Sequence, residues 1–325
     1  MNERLNRLLL LLLERAPLLL FGALLLLSGL LSDRFLTNIE NILVQASSIG
    51  IVAVGMTFVL LTAGIDLSVG SIMFLATIVG GLAINAGAPL LVGFALVVAV
   101  GALFGAVNAA FITYLRVIPF IVTLATFYVG RGLGLRITET RSLPLPREIL
   151  ELGAGRILGV PFPLLLFLIV CVLGHLVLTR TPFGRQIYAV GQDPEAAQKA
   201  GIPTRRRLFA VYVISGVCAA IGGFVLVAQL AEVASRFGEQ KEFAAIAAAV
   251  LGGTSLFGGR GSVLPGAILG AVLIQTVENI LVILRADVYV YPLVTSAVIF
   301  VAVLIDSLRH GRLLRLKRRR IRVEA

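Results

Sequence analysis

Long apolar segments dominate the chain, and they are apolar on every face. Ile42 to Leu61 and Leu90 to Phe111 are two examples. At 1.5 Å per residue, about 20 such residues cross the ~30 Å hydrocarbon layer of a membrane. The polar–apolar alternation of an outer-membrane barrel strand is missing from these segments, so α-helices remain as the way to satisfy the backbone in lipid. The pattern predicts an all-α, polytopic integral membrane protein.

The apolar pattern predicts about ten transmembrane helices in a single transmembrane domain covering residues 1–325. The spans fall at residues 16–32, 41–62, 65–84, 88–113, 118–138, 160–179, 207–231, 243–256, 263–284 and 289–307. An even number of spans places both ends of the chain on one side of the membrane. Three hydrophilic segments remain. With the N-terminus inside, the span order makes residues 139–159 a periplasmic loop, and places the loop 180–207 and the basic tail 308–325 in the cytoplasm.

Composition agrees with the hydropathy pattern. Of the 325 residues 58% are hydrophobic and 14% are charged, more apolar surface than a water-soluble core can bury. The two cysteines, Cys171 and Cys218, lie in apolar stretches and have the character of small core residues.

The net charge is +11, and the distribution of the basic residues along the chain indicates its orientation in the membrane. With the N-terminus inside, most of the 28 Lys and Arg lie in inner segments, so the positive-inside rule predicts cytoplasmic termini. The basic tail at 308–325 is interpreted as an orientation signal with affinity for anionic lipid, in preference to a nucleic-acid site.

The inner segment 180–207 contains a short helix with a signal at each end. Asp193 is a good N-cap, Pro194 suits the first helical position, and Glu195 faces the positive end of the helix dipole. Gly201 permits a left-handed stop, and Pro203 prevents continuation. Residues between them favour helix: Ala196, Ala197, Lys199 and Ala200. A helix of about two turns is unstable alone, so the rest of the loop or a partner must hold it.

Two glycine-rich segments resemble each other weakly, as an internal repeat would. Val59 to Met73 and Val250 to Leu264 each carry an apolar helix end, a glycine-rich break and a Gly-Ser pair, Gly70-Ser71 and Gly261-Ser262. A duplicated helical unit would explain the likeness, as in many transporters. Any glycine-rich turn between two spans would also look alike, so both interpretations stay open.

Several sequence blocks of the chain resemble motifs of a known family. Glu195-Ala196-Ala197, followed three residues later by Gly201, resembles the EAA motif of ABC importer permeases. Four further blocks, in order, resemble the monosaccharide branch of these permeases, the ribose, xylose, arabinose and galactose type: residues 54–71, 119–126, 183–191 and 251–262. The likeness runs from about residue 40 to residue 308. Ala63 and Asp193 depart from it, where the family usually shows Gly and Asn.

The resemblance implies a type II-like ABC importer permease for a small sugar, pentose or hexose, in the inner (plasma) membrane of a prokaryote. The implied partners are an ATPase subunit with two nucleotide-binding domains, a periplasmic or lipid-anchored sugar-binding protein, and a second permease copy or paralogue. The motif assigns contact with the ATPase to Asp193, Pro194, Glu195, Ala196, Ala197 and Gly201. ATP and Mg²⁺ are expected on the partner.

The chain itself shows no nucleotide site. A P-loop needs Gly-Lys-Ser/Thr, and each of the three lysines, Lys199, Lys241 and Lys317, follows Gln or Leu. We therefore expect no cofactor or metal on this chain and no enzymatic activity. The two histidines, His175 and His310, lie far apart in the sequence, which disfavours a membrane-embedded enzyme.

Polar residues inside spans are candidates for the translocation pathway, because they are costly in lipid. Sugar hydroxyls need polar partners, and an aromatic face can lie beneath the ring. The candidates are Asp66, Ser68, Asn108, Phe120, Thr123, Thr126, Phe127, Gln275 and Asn279.

Several of these candidates also have structural interpretations. Asp66 could cap the helix that begins around residues 67–70, at the inner water interface. Asn108, Gln275 and Asn279 could join helices, as amides do in membranes. Arg131 and Glu278 could form an internal pair or extend to an interface.

A second class of function is an ion-coupled secondary transporter of a small polar solute. Asp66 and Glu278 would then be the titrating groups. This alternative leaves the isolated capped helix of the inner segment unexplained.

Overall fold

The computed structural model of the protein describes residue 22 and residues 37–287 and 289–323, most of them helical. The span predicted at 16–32 lies outside the described residues except for Gly22. The helices are α1 (Ile39–Leu61), α2 (Val69–Asn85), α3 (Leu90–Thr113), α4 (Pro119–Thr138), α5 (Arg147–Ala154), α6 (Phe162–Arg180), α7 (Pro182–Gln192), α8 (Pro194–Lys199), α9 (Thr204–Leu230), α10 (Lys241–Leu251), α11 (Ile268–Ile283) and α12 (Val290–Val323). One π-helical turn, Val263–Ala267, leads into α11.

Seven of these described helices, counting the π-turn with α11, are long and apolar enough to cross a membrane. The prediction of an all-α polytopic membrane protein is confirmed. Two predicted spans are shorter than expected, since α2 begins only at Val69 and α10 ends at Leu251. Both differences lie at the glycine-rich breaks: residues 64–67 are non-helical, so α2 starts late, and Gly253 adopts the left-handed backbone conformation that follows the end of a helix.

The bundle has two distinguishable ends. Strands β1 (Leu143–Pro144) and β4 (Glu232–Val233) pair antiparallel at what we call the ribbon end. Asn85 donates from Nδ2 to the Pro144 carbonyl there, at 3.0 Å. A second short hairpin lies between α5 and α6, formed by β2 (Arg156–Ile157) and β3 (Val160–Pro161). The basic end is the opposite one, where α6 ends and residues 181–203 fold.

The two glycine-rich breaks of the possible internal repeat contact each other at the basic end. The Gly259 amide donates to the Leu61 carbonyl at 2.9 Å. The Gly-Ser pairs differ in conformation, however, because Gly70 lies within α2 whereas Gly261 precedes the π-turn with φ +147°. The duplication therefore stays a hypothesis.

Helix α9 lies at the centre of the core, packed against α1, α2 and α3. Glycines bring α9 and α3 into backbone contact. A Cβ on Gly216 would lie 2.2 Å from the Gly101 carbonyl oxygen, and one on Gly101 would lie 2.4 Å from the Gly216 oxygen. Small residues at such crossings allow the close approach that packs membrane helices.

Gly216→Leu is expected to destabilise the bundle by about 2–3 kcal/mol, because the added side chain must separate α9 from α3. Thermal unfolding of the purified protein in detergent measures the change. Gly132→Leu is the matched control, since a Cβ on Gly132 meets nothing within 4 Å. Equal unfolding temperatures for the two variants would contradict the close packing of α9 on α3.

Candidate coupling and transport sites

The short helix of the inner segment forms as its end signals predict. Asp193 Oδ1 accepts hydrogen bonds from the amides of Glu195 and Ala196, each at 3.0 Å. Pro194 occupies the first turn, and α8 ends at Lys199. Gly201 has φ +82°, the left-handed conformation expected of a stop. The prediction of a capped helix here is confirmed.

One side of helix α8 packs against the rest of the protein, and its other sides are exposed. Ala197 is 5% exposed, while Glu195 and Ala196 face outward at the basic end. Its main neighbour is α7, which is itself capped where Thr181 Oγ1 accepts from the Gly184 amide at 3.2 Å. The exposed face leaves α8 free to contact another protein.

Helix α7 connects α8 to the membrane-spanning bundle. Gly191 packs against the end of α1 so closely that a Cβ there would lie 1.7 Å from the Leu61 carbonyl oxygen. Tyr188 donates from its hydroxyl to the Gly261 carbonyl at 2.8 Å. Helix α7 therefore contacts α8 at one end and both glycine-rich breaks along its length.

A chain of buried polar side chains crosses the bundle where α2 begins. Asp66 Oδ2 accepts from Ser215 Oγ at 2.7 Å, and its Oδ1 accepts from Ser68 Oγ at 2.6 Å. Asn108 Nδ2 donates to Ser68 Oγ at 2.8 Å, and Thr126 Oγ1 donates to Asn108 Oδ1 at 2.7 Å. We call Asp66, Ser68, Asn108, Thr126 and Ser215 the Asp66 network. It joins the α1–α2 break to α3, α4 and α9.

The environment of Asp66 corrects one expectation. Its side chain is fully buried, so its predicted position at a water interface is wrong. The capping interpretation holds in part, because Asp66 Oδ1 also accepts from the Ser68 amide just before α2, at 3.0 Å. Ser215 was not among the sequence candidates. A lone serine in an apolar helix gives a weak signal, and only the fold shows its carboxylate partner.

The remaining candidates of α4 differ in burial. Thr123 is buried, and its hydroxyl lies 3.3 Å from the Ile65 carbonyl beside the Asp66 network. Phe120 is exposed, and Phe127 packs edge to face on Tyr128 with ring centres 5.3 Å apart. The role of the two phenylalanines in a pathway stays a prediction.

Arg131 clamps the segment that connects α9 to α10. Its guanidinium donates to the carbonyls of Phe237 and Ser235 and to Glu239 Oε1, the last two at 2.9 Å. It also lies over the Phe74 ring, 4.4 Å from the centre. The suggested internal pair of Arg131 with Glu278 is wrong. The acid partner is Glu239, which lies in a non-helical segment outside every predicted span.

The clamped segment reaches the start of α2. A Cβ on Gly70 would lie 2.4 Å from the Gly238 carbonyl oxygen, so α2 and α10 begin almost at the same point inside the bundle. Burial opposes ionisation of Glu239, but hydrogen bonds from Arg236 and Arg131 outweigh it and lower the pKa of this carboxyl. The clamp therefore remains charged and intact at neutral pH.

A polar cavity of about 440 Å³ opens near the ribbon end. We call it the amide cavity, because four amide side chains line it: Asn41, Gln45, Gln229 and Gln275. Of the sequence candidates, Gln275 lies in it, whereas Asn279 is buried elsewhere on α11. Among the described residues, no group of three His, Cys, Asp or Glu side chains is placed to hold a metal ion.

A helical membrane bundle with two short interrupted helices and an outward-facing capped helix has the construction of a membrane transport subunit. The family profile for the branched-chain amino acid transport system / permease component matches residues 38–306. The chain belongs to that family of transport permeases.

Curated relatives refine the family. The ribose import permease protein RbsC of Escherichia coli K12 is 37% identical over 309 residues, which cover 91% of this chain and 94% of that one. RbsC of Haemophilus influenzae is 36% identical, covering 83% and 85%. The D-allose transport system permease protein AlsC of E. coli K12 is 36% identical, covering 85% and 86%. The predicted resemblance to monosaccharide-type permeases is confirmed. No solved structure shows significant similarity to the chain.

Proposed function

We propose that this chain is the membrane-spanning permease subunit of an ATP-driven importer for a small sugar, a pentose or hexose. The observation that carries the proposal is α8, a capped helix with an exposed face at the basic end. A separate protein with ATPase activity can bind such a face. The relatives named for ribose and allose import support a sugar as the solute.

The proposed assembly holds ATP and Mg²⁺ on a partner with two nucleotide-binding domains, and this chain has no ATPase site of its own. A second copy or a paralogue completes the membrane part. A periplasmic or lipid-anchored sugar-binding protein delivers the sugar at the ribbon end. The basic end then lies in the cytoplasm with both termini, in agreement with the positive-inside rule.

The contacts of α7 suggest how ATP binding could drive transport. Closure of the ATPase would move α8, and α7 would carry the motion to Leu61 and Gly261. Those residues lie at the two glycine-rich breaks, where α1 and α10 are already interrupted. Breaks of this kind change conformation at lower cost than continuous helix, because fewer hydrogen bonds must be lost.

Gly201→Val tests the coupling role of α8. Gly201 has φ +82° with nothing within 4 Å of an added Cβ, so the variant introduces backbone strain of about 1–2 kcal/mol without a clash. We expect sugar-stimulated ATP hydrolysis by the reconstituted assembly to fall about tenfold, because strain of that size shifts a two-state equilibrium by this factor.

Gly87→Val is the matched control. Gly87 has φ +91° and also meets nothing within 4 Å, but it lies between α2 and α3 near the ribbon end. We expect its ATP hydrolysis to stay close to wild type. Uptake by the purified chain alone, abolished by an uncoupler and unchanged in Gly201→Val, would instead establish an ion-coupled secondary transporter.

A further inference from the structure

The amide cavity extends far into the bundle from the ribbon end. Gln275 lies eight residues before the end of α11, which at 1.5 Å per residue is about 12 Å along the helix. Ile49 lies ten residues after the start of α1, about 15 Å along it. Because the hydrocarbon layer is ~30 Å thick, the cavity reaches about halfway across.

The floor and walls of the cavity differ in chemistry. Ile49 and Ile274 lie at its inner limit, and polar side chains lie between them and the ribbon end. The walls also include apolar residues such as Val44, Leu150 and Leu226, so the cavity presents both polar and apolar surface above an apolar floor. Its volume, about 440 Å³, lies within the range of small-molecule sites.

The amides of the cavity suit hydroxyl groups. Gln275 donates from Nε2 to Gln45 Oε1 at 2.9 Å, and Gln229 donates from Nε2 to the Val44 carbonyl at 3.1 Å. These bonds hold the side chains in place and leave the Gln45 NH₂ group and the Gln275 oxygen able to bond further. A sugar hydroxyl is both donor and acceptor, so it pairs with either group.

Two charged side chains also line the cavity. Lys241 and Glu278 make no side-chain hydrogen bond or ion pair with other residues in the described part of the chain. Together they could pair with the carboxylate and ammonium of an amino acid, which the name of the family suggests as a solute. The four neutral amides outnumber them and favour an uncharged polyhydroxylated solute.

We infer that the amide cavity is a sugar-binding vestibule, in which Gln45 and Gln275 contact the hydroxyls of a sugar that enters from the ribbon end. The inference rests on the proposed import function. It adds a binding site within the permease to the delivery protein outside. The cavity is open on one side, so it holds the sugar weakly and leaves it able to dissociate.

Thiol labelling tests occupancy directly. In the full assembly, a cysteine introduced by Asn41→Cys lies at the rim of the cavity, and the native Cys171 and Cys218 are buried and should not react. We expect saturating D-ribose or D-allose to slow labelling by at least threefold, and L-leucine to have no effect. Leu158→Cys is the control, because Leu158 is 99% exposed outside the cavity and should label at one rate with or without sugar.

The double variant Gln45→Leu with Gln275→Leu tests the contact pair. It removes both partners of one hydrogen bond, so no buried group loses its partner and folding should be little affected. We expect the KM for sugar uptake to rise about tenfold, while the unfolding temperature of the variant in detergent stays close to that of wild type.

The outcomes separate the two proposals. Normal wild-type uptake, with no protection by sugar and an unchanged KM in the double variant, would overturn the vestibule and leave the import function standing. Protection by L-leucine alone would overturn the sugar assignment. A wild-type assembly that takes up neither sugar at the expense of ATP would refute the import function, and the vestibule with it.

Discussion

Asp66→Ala is expected to destabilise the protein by about 3 kcal/mol and to abolish transport through loss of structure. The carboxylate accepts three hydrogen bonds, two from Ser68 and one from Ser215, and it is fully buried. Bonds to a charged group contribute about 1.5–3 kcal/mol each, and some of that is recovered when hydroxyls rotate to other partners. Thermal unfolding in detergent and uptake by the reconstituted assembly measure the two effects.

Two further variants make the interpretation specific. Asp66→Asn retains the shape of the side chain and one hydrogen-bond acceptor. Its loss of stability should therefore be smaller than that of Asp66→Ala. Thr126→Val removes only the last bond of the network, to Asn108, and should cost about 1 kcal/mol. If Asp66→Ala instead unfolds like wild type but transports nothing, the carboxylate belongs to the pathway, as the sequence also allowed.

The helical architecture was predictable because each span is an uninterrupted apolar segment that can be located in the sequence. The predicted span 118–138 and α4, Pro119–Thr138, differ by one residue at the start. The capped helix α8 was equally predictable, because Asp193 and Gly201 act through local backbone geometry. Both predictions depend on residues close together in sequence.

The partners of buried polar groups were not predictable, because they come from helices far apart in the chain. Asp66 and Ser215 are separated by 149 residues, and Arg131 and Glu239 by 108. Hydropathy locates each side chain along its own helix but gives no information on which helices are neighbours. The suggested Arg131–Glu278 pair was wrong for this reason.

The lining of the amide cavity was also only partly predictable from the sequence. Gln275 was a candidate as a polar residue within a span, yet Gln45 and Gln229 were not, although all three line one cavity. Gln45 and Gln229 each lie within two turns of a helix end, where a polar side chain can reach water and therefore gives no distinct signal. The cavity is formed only when α1, α5, α9, α10 and α11 pack together.

Arg131→Met is expected to release the segment between α9 and α10 and to stop transport. The variant leaves the Ser235 and Phe237 carbonyls and the Glu239 carboxylate without their guanidinium, and breaking a buried pair on one side costs about 3–5 kcal/mol. Glu239 is partly exposed, so the lower figure applies. Hydrogen exchange of residues 234–240 should become at least tenfold faster, because the clamp no longer opposes local opening.

Arg131→Lys and Arg236→Met separate the geometry of the clamp from its charge. Lysine keeps the charge but lacks the planar fork that reaches three acceptors, so it should restore the exchange rate only in part. Arg236 also bonds to Glu239 but is largely exposed, so Arg236→Met should leave exchange and transport near wild type. Because Gly238 lies against Gly70, a loosened segment must also disturb the start of α2. Unchanged exchange in Arg131→Met would mean that this contact, and not the guanidinium, holds the two interrupted helices together.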